Sequence, residues 1–230
     1  MIWRNNVKKF FLLLKKETRN TFSFRGNYIL CLIFYMAILF LLPLGIGPEK
    51  ELLSNISPGL IWVSMILVCF LSLENIFYED FNDGTLDLYL IGDLSLYQIS
   101  FAKSFSHWLS NCLPIVILTP IFGIFVSLPN EIIFPTMITL FIGSPALSFI
   151  GCMGASMSLS SRWHGLILPI IILPLFLPVL IFGAGSLSTL IFNGFEEVYI
   201  RQLFVLAGLS GLAIVFCPII SAYVIKVNFE

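Results

Sequence analysis

Residues 74–103 read ENIFYEDFNDGTLDLYLIGDLSLYQISFAK and form a long polar stretch between two strongly apolar parts of the chain. The stretch holds six of the thirteen acidic residues, at positions 74, 79, 80, 83, 87 and 93. Uncharged runs of about 20 residues or more lie on both sides of it, and runs of that length are typical of membrane spans. A charged loop of this length between two spans predicts a surface that meets a soluble partner.

The composition of the chain is that of a membrane protein. Of its 230 residues, 58% are hydrophobic and 11% are charged, and the mean hydropathy is +1.00. A soluble domain carries about 25% charged residues. The net charge of −1 gives no basis for nucleic-acid binding. We therefore predict an integral membrane protein that contacts membrane lipids and no nucleic acid.

The uncharged runs are each long enough to cross a bilayer as a helix. They predict an all-α fold, with residues 1–230 forming a single membrane domain. Six spans are expected near residues 27–47, 59–76, 105–128, 132–158, 165–190 and 203–225. Residues 74–103 are then a loop on the cytoplasmic side, and residues 1–25 precede the first span.

The N-terminal segment at residues 1–25 has an amphipathic pattern. Its apolar positions at helical spacing are Trp3, Val7, Phe10, Phe11 and Leu14. Its other faces carry Arg4, Lys8, Lys15 and Arg19. A short basic helix with aromatic residues on its apolar side lies in the membrane interface. The alternative is an ordinary basic flank that only orients the first span.

The distribution of Lys and Arg predicts the orientation of the spans. Seven of the twelve basic residues lie within residues 1–25. With the N-terminus inside, Lys103, Arg162 and Lys226 also fall inside, whereas Lys50 and Arg201 fall outside. Positive residues concentrate on the cytoplasmic side. Both termini and the loop at residues 74–103 are therefore expected in the cytoplasm of a bacterium, or in the matrix if the membrane is the mitochondrial inner membrane.

The loop has helical patterns that are interrupted once. Leu73, Phe77 and Phe81 form an apolar row, and a separate acidic row contains Asp80, Asp83 and Asp87. This arrangement predicts a helix along the membrane surface, broken at the Asp83-Gly84 pair. Ser95 and Gln98 fit a capping box that starts the next helix before it enters the lipid. The alternative is an acidic loop that only solvates itself.

Four further patterns lie within the spans. Ser57 and Pro58 resemble an N-cap and a first-turn proline that open the second span, with Trp62 just inside it as an interfacial anchor. His107 beside Trp108 is read as an interfacial pair and only weakly as a haem or proton site. The fourth span carries a row of small residues for which internal packing is expected and a subunit contact is the alternative: Ser144, Ser148, Gly151, Ala155 and Ser158.

The fifth uncharged run is too long for a simple span. It follows a short inner turn formed by Arg162, Trp163 and His164, extends to Phe195, and contains Pro169, Pro174 and Pro178, followed by Gly183 and Gly185. One straight helix of this length would exceed the bilayer thickness and would be interrupted at each proline. We therefore expect a helix followed by a partly inserted hairpin on the outer side.

The chemistry of an energised enzyme is absent from the sequence. No GxxxxGK[ST] nucleotide motif, HExxH, GxSxG or cluster of His and Cys occurs. The five cysteines lie in apolar runs without a CxxC pair and are expected to be small packing residues. The chain is thus predicted to be non-catalytic, with no metal site and no firmly bound cofactor, and to depend on a partner for any energised work.

The order of these parts resembles the membrane subunit of an ABC-2-type exporter, and more narrowly the CcmB family of cytochrome c maturation, also called haem exporter protein B. The resemblance covers nearly the whole chain and becomes mostly hydropathy after about Ser160. The residues that carry it are PLGIGPE at 43–49, PGLIWV at 58–63, LENIF at 73–77, Asp80, DGTL at 83–86, Ala102-Lys103, His107-Trp108, Pro114 and Pro120.

The resemblance implies specific partners and a site. It implies a partner ATPase, CcmA, the membrane subunits CcmC and CcmD, the haem chaperone CcmE, and two permease copies. Haem would be the ligand that is transported or handled, and the absence of a WWD-type motif implies that this subunit does not hold it firmly. The residues implied for ATPase coupling are Glu74, Phe77, Asp80, Phe81, Asp83, Gly84, Thr85 and Leu86.

Two other functions remain open on the sequence. A generic ABC-2 exporter permease for a lipid or another small molecule would have the same topology. A scaffold or assembly factor without an ATPase partner would also fit the hydropathy. The resemblance favours the cytochrome c maturation complex, in which ATP hydrolysis by the partner would drive haem export or release of the haem-loaded chaperone.

Overall fold

The computed structural model describes residues 2–22, 28–47, 49–73, 76–159, 164–194 and 197–228. These residues form ten α-helices and one π-helical segment, with no strand among them. The helices are α1 (Ile2–Phe22), α2 (Tyr28–Ile46), α3 (Lys50–Leu73), α4 (Tyr78–Asn82), α5 (Thr85–Ile91), α6 (Leu96–His107), α7 (Leu113–Phe125), α8 (Asn130–Met157), α9 (His164–Asn193) and α10 (Glu197–Asn228).

Six helical stretches in the described part of the chain are long and apolar enough to cross a membrane. They contain α2, α3, the continuous rod of α6 and α7, α8, α9 and α10. The prediction of an all-α integral membrane protein with six spans is confirmed. The short helices α4 and α5 lie between α3 and α6, within the polar loop.

Helix α8 lies at the centre of the bundle and packs against α3, α6, α7, α9 and α10. Its row of small residues, from Ser144 to Ser158, is buried. At Gly151 an added Cβ would collide with Leu73 of α3, and at Gly154 it would collide with Ile172 of α9. Small residues let membrane helices approach closely. The expectation of internal packing is therefore confirmed, because neighbours in the same chain occupy this face.

Two expectations for the second span are wrong. Helix α3 begins at Lys50, so Pro58 lies inside it and the Ser57 hydroxyl donates to the Ser54 carbonyl at 2.7 Å. Trp62 is buried rather than interfacial, and its ring fills the space left by Gly143 of α8 and Gly183 of α9. The reason is tertiary, because two glycines distant in sequence create a slot that fits the indole.

The expected break in the fifth span is also wrong. Helix α9 is continuous for 30 residues although Pro169, Pro174 and Pro178 lie inside it. Prolines are tolerated in membrane helices where neighbouring helices and local adjustments satisfy the freed backbone groups. A helix of this length extends about 45 Å and so exceeds a bilayer core. The turn predicted at Arg162 and Trp163 lies outside the described residues.

The third span contains an interruption that the sequence analysis did not predict. A π-helical segment, Trp108–Cys112, joins α6 to α7. Pro114 follows within the first turn of α7, where its missing N–H changes the hydrogen-bond pattern of the preceding turn. Single π-turns of this kind insert one extra residue and rotate the side chains on either side of them. The π-helical segment therefore shifts the helical phase of α7 relative to α6.

Helix α1 buries its apolar side against the protein. Leu13 is buried with Ile99 and Ala102 of α6, and Phe10 packs against the same cluster. Phe11, which was expected on the same face as Phe10, is 63% exposed. The predicted helix is present, but part of its apolar surface contacts α6.

Candidate coupling site

The polar loop folds into two short helices separated by one turn. Gly84 has a φ of 75° and separates α4 from α5. This confirms the predicted break at Asp83-Gly84, because a positive φ strains any residue with a side chain. The Asp83 carboxylate accepts the backbone N–H of Thr85 at 2.9 Å, and hydrogen bonds from Thr85 hold the pKa of Asp83 below its usual value.

The start of α6 is fixed by the capping box that the sequence predicts. The N–H of Gln98 donates to the Ser95 hydroxyl at 3.3 Å, and the Gln98 side chain accepts the Ser95 N–H at 3.1 Å. Such a pair satisfies two amide groups that a helix end otherwise leaves free. Helix α6 therefore has a defined first turn within the polar loop.

The predicted apolar row of the loop does not form one surface. Leu73 and Phe77 are buried, whereas Phe81 is 36% exposed. Residues 76 and 77 form a turn before α4, and the Phe81 N–H donates to the Phe77 carbonyl at 3.0 Å. The predicted helix with a break at Asp83-Gly84 is present as α4 and α5, and its position along the membrane surface stays a prediction. Glu74, the first residue of the implied coupling set, lies outside the described residues.

Lys103 of α6 is the centre of a buried charge cluster. Its ammonium group lies 2.6 Å from the Asp80 carboxylate of α4 and 3.4 Å from the Glu17 carboxylate of α1. It also donates to the backbone carbonyl of Ile76 at 3.0 Å and lies 5.4 Å from the centre of the Phe77 ring. The lysine side chain is only 4% exposed. This ion-pair cluster joins α1, α4 and α6.

Helix α1 also holds α5 through Tyr89. The Tyr89 hydroxyl donates to Glu17 at 3.2 Å and accepts from Lys16 at 3.3 Å. Burial raises the pKa of Tyr89, and the Glu17 carboxylate adds to that shift. Lys9 forms an exposed ion pair with Asp93, which lowers the pKa of Asp93. The N-terminal helix is thus attached to the last turn of α5 and to the residues that follow it.

Three of the implied coupling residues face the interior of the protein rather than a partner. Phe77 and Leu86 are buried, and Asp80 is directed at Lys103, so these three hold the loop in place. The outward side of α4 and α5 is formed mainly by residues that the sequence analysis did not single out as site residues. Its most exposed apolar members are Leu88 at 69% and Ile91 at 85%. The exposed acidic and aromatic residues of the same segment are Glu79, Phe81, Asp83, Asp87 and Asp93.

His107 lies in the bundle rather than at its surface. Its Nδ1 lies 2.8 Å from the Ser148 hydroxyl of α8, and its Nε2 lies 2.7 Å from the Ser72 hydroxyl of α3. Ser148 gives its own proton to the Ser104 carbonyl and therefore accepts from Nδ1. Nε2 then accepts from Ser72, whose hydroxyl also lies 3.1 Å from the Cys69 carbonyl and is closer to the ring nitrogen. Both ring nitrogens are engaged and the side chain is 2% exposed, so this arrangement offers no free lone pair to a haem iron.

No group of three or more His, Cys, Asp or Glu side chains that could hold a metal ion occurs among the described residues. All five cysteines are buried within helices, as expected for packing residues. The thiols of Cys69 and Cys112 approach to 3.9 Å across α3 and the π-helical segment. The polar and charged side chains concentrate instead at α1, α4, α5 and α6.

Comparisons with known proteins agree with this architecture. A family model described as CcmB protein matches residues 8–228. Heme exporter protein B of Rhodobacter capsulatus is 36% identical over 219 residues, which cover 95% of this chain and 99% of the relative. The proteins of the same name from Pseudomonas aeruginosa and Paracoccus denitrificans are 36% and 35% identical, each over 95% of this chain and over 97% and 99% of their own length. The chain therefore belongs to the CcmB protein family.

Proposed function

We propose that this chain is the membrane subunit of an ABC-type haem export complex of cytochrome c maturation, in which it couples ATP hydrolysis by a partner subunit to haem export or to release of a haem-loaded chaperone. The observation that carries the proposal is the α4–α5 segment, residues 76–95. Its outward face is exposed, its inner face is fixed to α1 and α6, and the chain has no nucleotide-binding motif of its own.

The outward face of the α4–α5 segment has the chemistry of a docking surface. Leu88 and Ile91 present apolar side chains, and Asp87 adds negative charge beside them. An apolar centre with a charged rim is the usual arrangement at protein interfaces. The partner ATPase, CcmA in the family that the sequence resembles, would meet it with an apolar cleft edged by basic residues.

The contacts of α1 support the proposed orientation. The ion pairs from Lys9 to Asp93 and from Glu17 to Lys103 place the N-terminal helix on the same side as the polar loop. That shared side carries most of the basic residues of the chain and is the cytoplasmic side by the positive-inside rule. Six spans then bring the C-terminus to the same side, in the bacterial inner membrane. The exposed Lys8, Lys15 and Arg19 of α1 are suited to contact anionic lipid headgroups.

Haem is handled by the complex rather than held by this subunit. The name of the relatives indicates haem export, and the only histidine whose side chain is described has both ring nitrogens engaged within the bundle. Stable ligation would therefore depend on other subunits, for which CcmC, CcmD and the chaperone CcmE are the proposed partners. Two copies of this chain are proposed for each complex.

The test is a pair of substitutions on the outward face of α5. Leu88→Asp with Ile91→Asp should weaken capture of the ATPase subunit in mild detergent by about tenfold or more, because exposed apolar anchors dominate interface energies. The matched control, Leu88→Met with Ile91→Val, keeps an apolar face of similar size and should retain capture. Equal capture by the two double variants would refute docking at this face.

A deletion strain tests the substrate assignment separately. Loss of c-type cytochromes, restored by the intact chain on a plasmid, is the expected result. Normal cytochrome c content would instead favour an exporter of a lipid or another small molecule, which has the same six-span architecture. Capture of a stoichiometric ATPase subunit with the chain excludes a scaffold that works without ATP.

A further inference from the structure

Lys103 is a buried cation whose position needs an explanation. Its ammonium group donates hydrogen bonds to the Glu17 carboxylate and the Ile76 carbonyl, and it forms an ion pair with the Asp80 carboxylate at 2.6 Å. A buried charge is costly unless it is paired and hydrogen-bonded. These contacts compensate the buried charge of the lysine within the chain. Its contacts are directed entirely at other elements of the same chain.

The two carboxylates and Lys103 belong to three elements that the proposed function requires to move together. Asp80 is on α4, Glu17 is on α1, and Lys103 itself is on α6, which continues into the third span. His107 lies one turn after Lys103 on α6 and bonds to Ser72 of α3 and Ser148 of α8. Helix α6 therefore carries, one turn apart, polar contacts to α4 and α1 at Lys103 and polar contacts to α3 and α8 at His107.

We propose that Lys103 is the positioning residue that transmits displacement of α4 to α1 and α6. The inference rests on the proposed coupling function and adds the residue through which the coupling passes. When the partner moves α4, the Asp80–Lys103 contact moves the start of α6, and the Glu17–Lys103 contact moves α1 with it. Two charged acceptors on separate elements tie all three elements to one atom.

Charge, rather than packing alone, explains why a lysine occupies this position. The pairs of Lys103 are largely shielded from solvent, with Glu17 at 12% and Asp80 at 19% side-chain exposure, so they are screened only weakly by salt. Lys9, which like Glu17 is on α1, forms a pair with Asp93 in which the two side chains are 46% and 71% exposed. Exposed pairs of this kind contribute little. Lys9 is therefore the matched control for Lys103.

The experiment compares three variants in membranes that contain the complete complex with its ATPase subunit. Lys103→Met keeps the apolar stem and removes the charge, Lys103→Arg keeps the charge, and Lys9→Met removes the exposed pair. The readouts are retention of the ATPase subunit, ATP hydrolysis, and c-type cytochrome content per molecule of the chain. A residue that only supports folding would lower abundance and retention together, and not the output per molecule.

The expected result for Lys103→Met is uncoupling. Retention of the ATPase subunit and ATP hydrolysis should stay within about twofold, while cytochrome content per molecule falls about tenfold, a typical size for coupling between two sites. Lys103→Arg should restore a large part of the output, and Lys9→Met should match the unaltered chain. Output per molecule of Lys103→Met equal to that of the unaltered chain overturns the proposal. Failure of the unaltered chain to retain any ATPase overturns the proposed function itself.

A second variant covers the case in which Lys103→Met does not accumulate. Glu17→Leu removes both carboxylate oxygens, and with them the α1 contact, and leaves the Asp80–Lys103 pair in place. The proposal predicts a smaller fall in output per molecule with the ATPase still retained. Unchanged output from Glu17→Leu would show that α1 receives nothing through this lysine, and the proposal would be wrong.

Discussion

The two sides of the α4–α5 segment are built from similar residues but differ in burial. On the inner side, Phe77 and Leu86 are buried and Asp80 is paired with Lys103. On the outer side, Leu88 and Ile91 are exposed. A short helix has too little surface to stay in place without strong anchoring on one side. The inner side therefore determines where the segment lies, and the outer side is left exposed for the proposed docking of a partner.

The ion pairs of α1 differ in the same way. Lys103 and Glu17 lie inside the junction of α1, α4 and α6, whereas Lys9 and Asp93 lie at its edge. Removing one member of a buried pair leaves an uncompensated charge, while removing an exposed pair costs little. The same residue types thus have a large or a small energetic role according to burial, which no count of charges in the loop reveals.

Leu86→Ala and Leu88→Ala give the largest expected difference between the two sides. Leu86 is 1% exposed, so its truncation leaves a cavity and should lower the free energy of unfolding by about 3 kcal/mol. Leu88, two residues later on the same helix, is 69% exposed, and its truncation should change stability by about 0.5 kcal/mol or less. Thermal unfolding of the two purified variants in one detergent measures both. Equal melting temperatures would contradict the division of α5 into two sides.

Gly84→Ala should have an intermediate effect, because Gly84 forms the turn that separates α4 from α5. Its φ of 75° strains a residue with a Cβ, at a cost of about 1 kcal/mol, although the added atom would meet nothing closer than 3.8 Å. Gly84→Asn should cost less, since Asn tolerates this conformation. Gly208→Ala in α10 is the control, because it has open space and no positive φ. A melting temperature for Gly84→Ala at or above that of Gly208→Ala would show that the turn is not strained.

Features encoded by neighbouring residues could be predicted from the sequence. The break at Asp83-Gly84 and the capping box at Ser95 and Gln98 depend on contacts within four residues, and both are present. The six spans follow from runs of apolar residues, which carry their own signal. Local chemistry was sufficient in each of these cases.

Features that depend on distant residues could not be predicted. The burial of Trp62 depends on Gly143 and Gly183, and nothing near Trp62 in the chain indicates them. The role of Lys103 depends on Glu17, which is 86 residues away. The continuity of α9 depends on whether its surroundings satisfy the carbonyls that its prolines leave free. Hydropathy and spacing record none of these contacts, and they therefore favour an interfacial Trp62 and a break in α9, neither of which is present.

The smallest expected effect is the response of the exposed carboxyl groups of Asp83 and Asp93, which flank α5, to acid. The pKa of Asp83 is lowered by hydrogen bonds from Thr85, and the pKa of Asp93 is lowered by Lys9. A carboxyl group with a lowered pKa in the folded state stabilises that state above its unfolded pKa of about 3.9 and loses the effect as the pH falls through the folded value. Amide protection at the start of α5 should therefore be constant between about pH 7 and 5 and should fall below about pH 4.

Hydrogen exchange of peptides covering residues 83–93, corrected for the intrinsic pH dependence of exchange, measures this response. Asp83→Asn removes the titrating group and should show a flatter profile below about pH 4, with lower protection of Thr85 at neutral pH. The last turn of α5 supplies the internal reference, because the Leu90 amide lies beyond the unpaired first turn of the helix and should lose protection only when the whole segment unfolds. If the amides of Thr85 and Leu90 lost protection at the same pH and to the same extent, the start of α5 would not open separately from the rest of the helix.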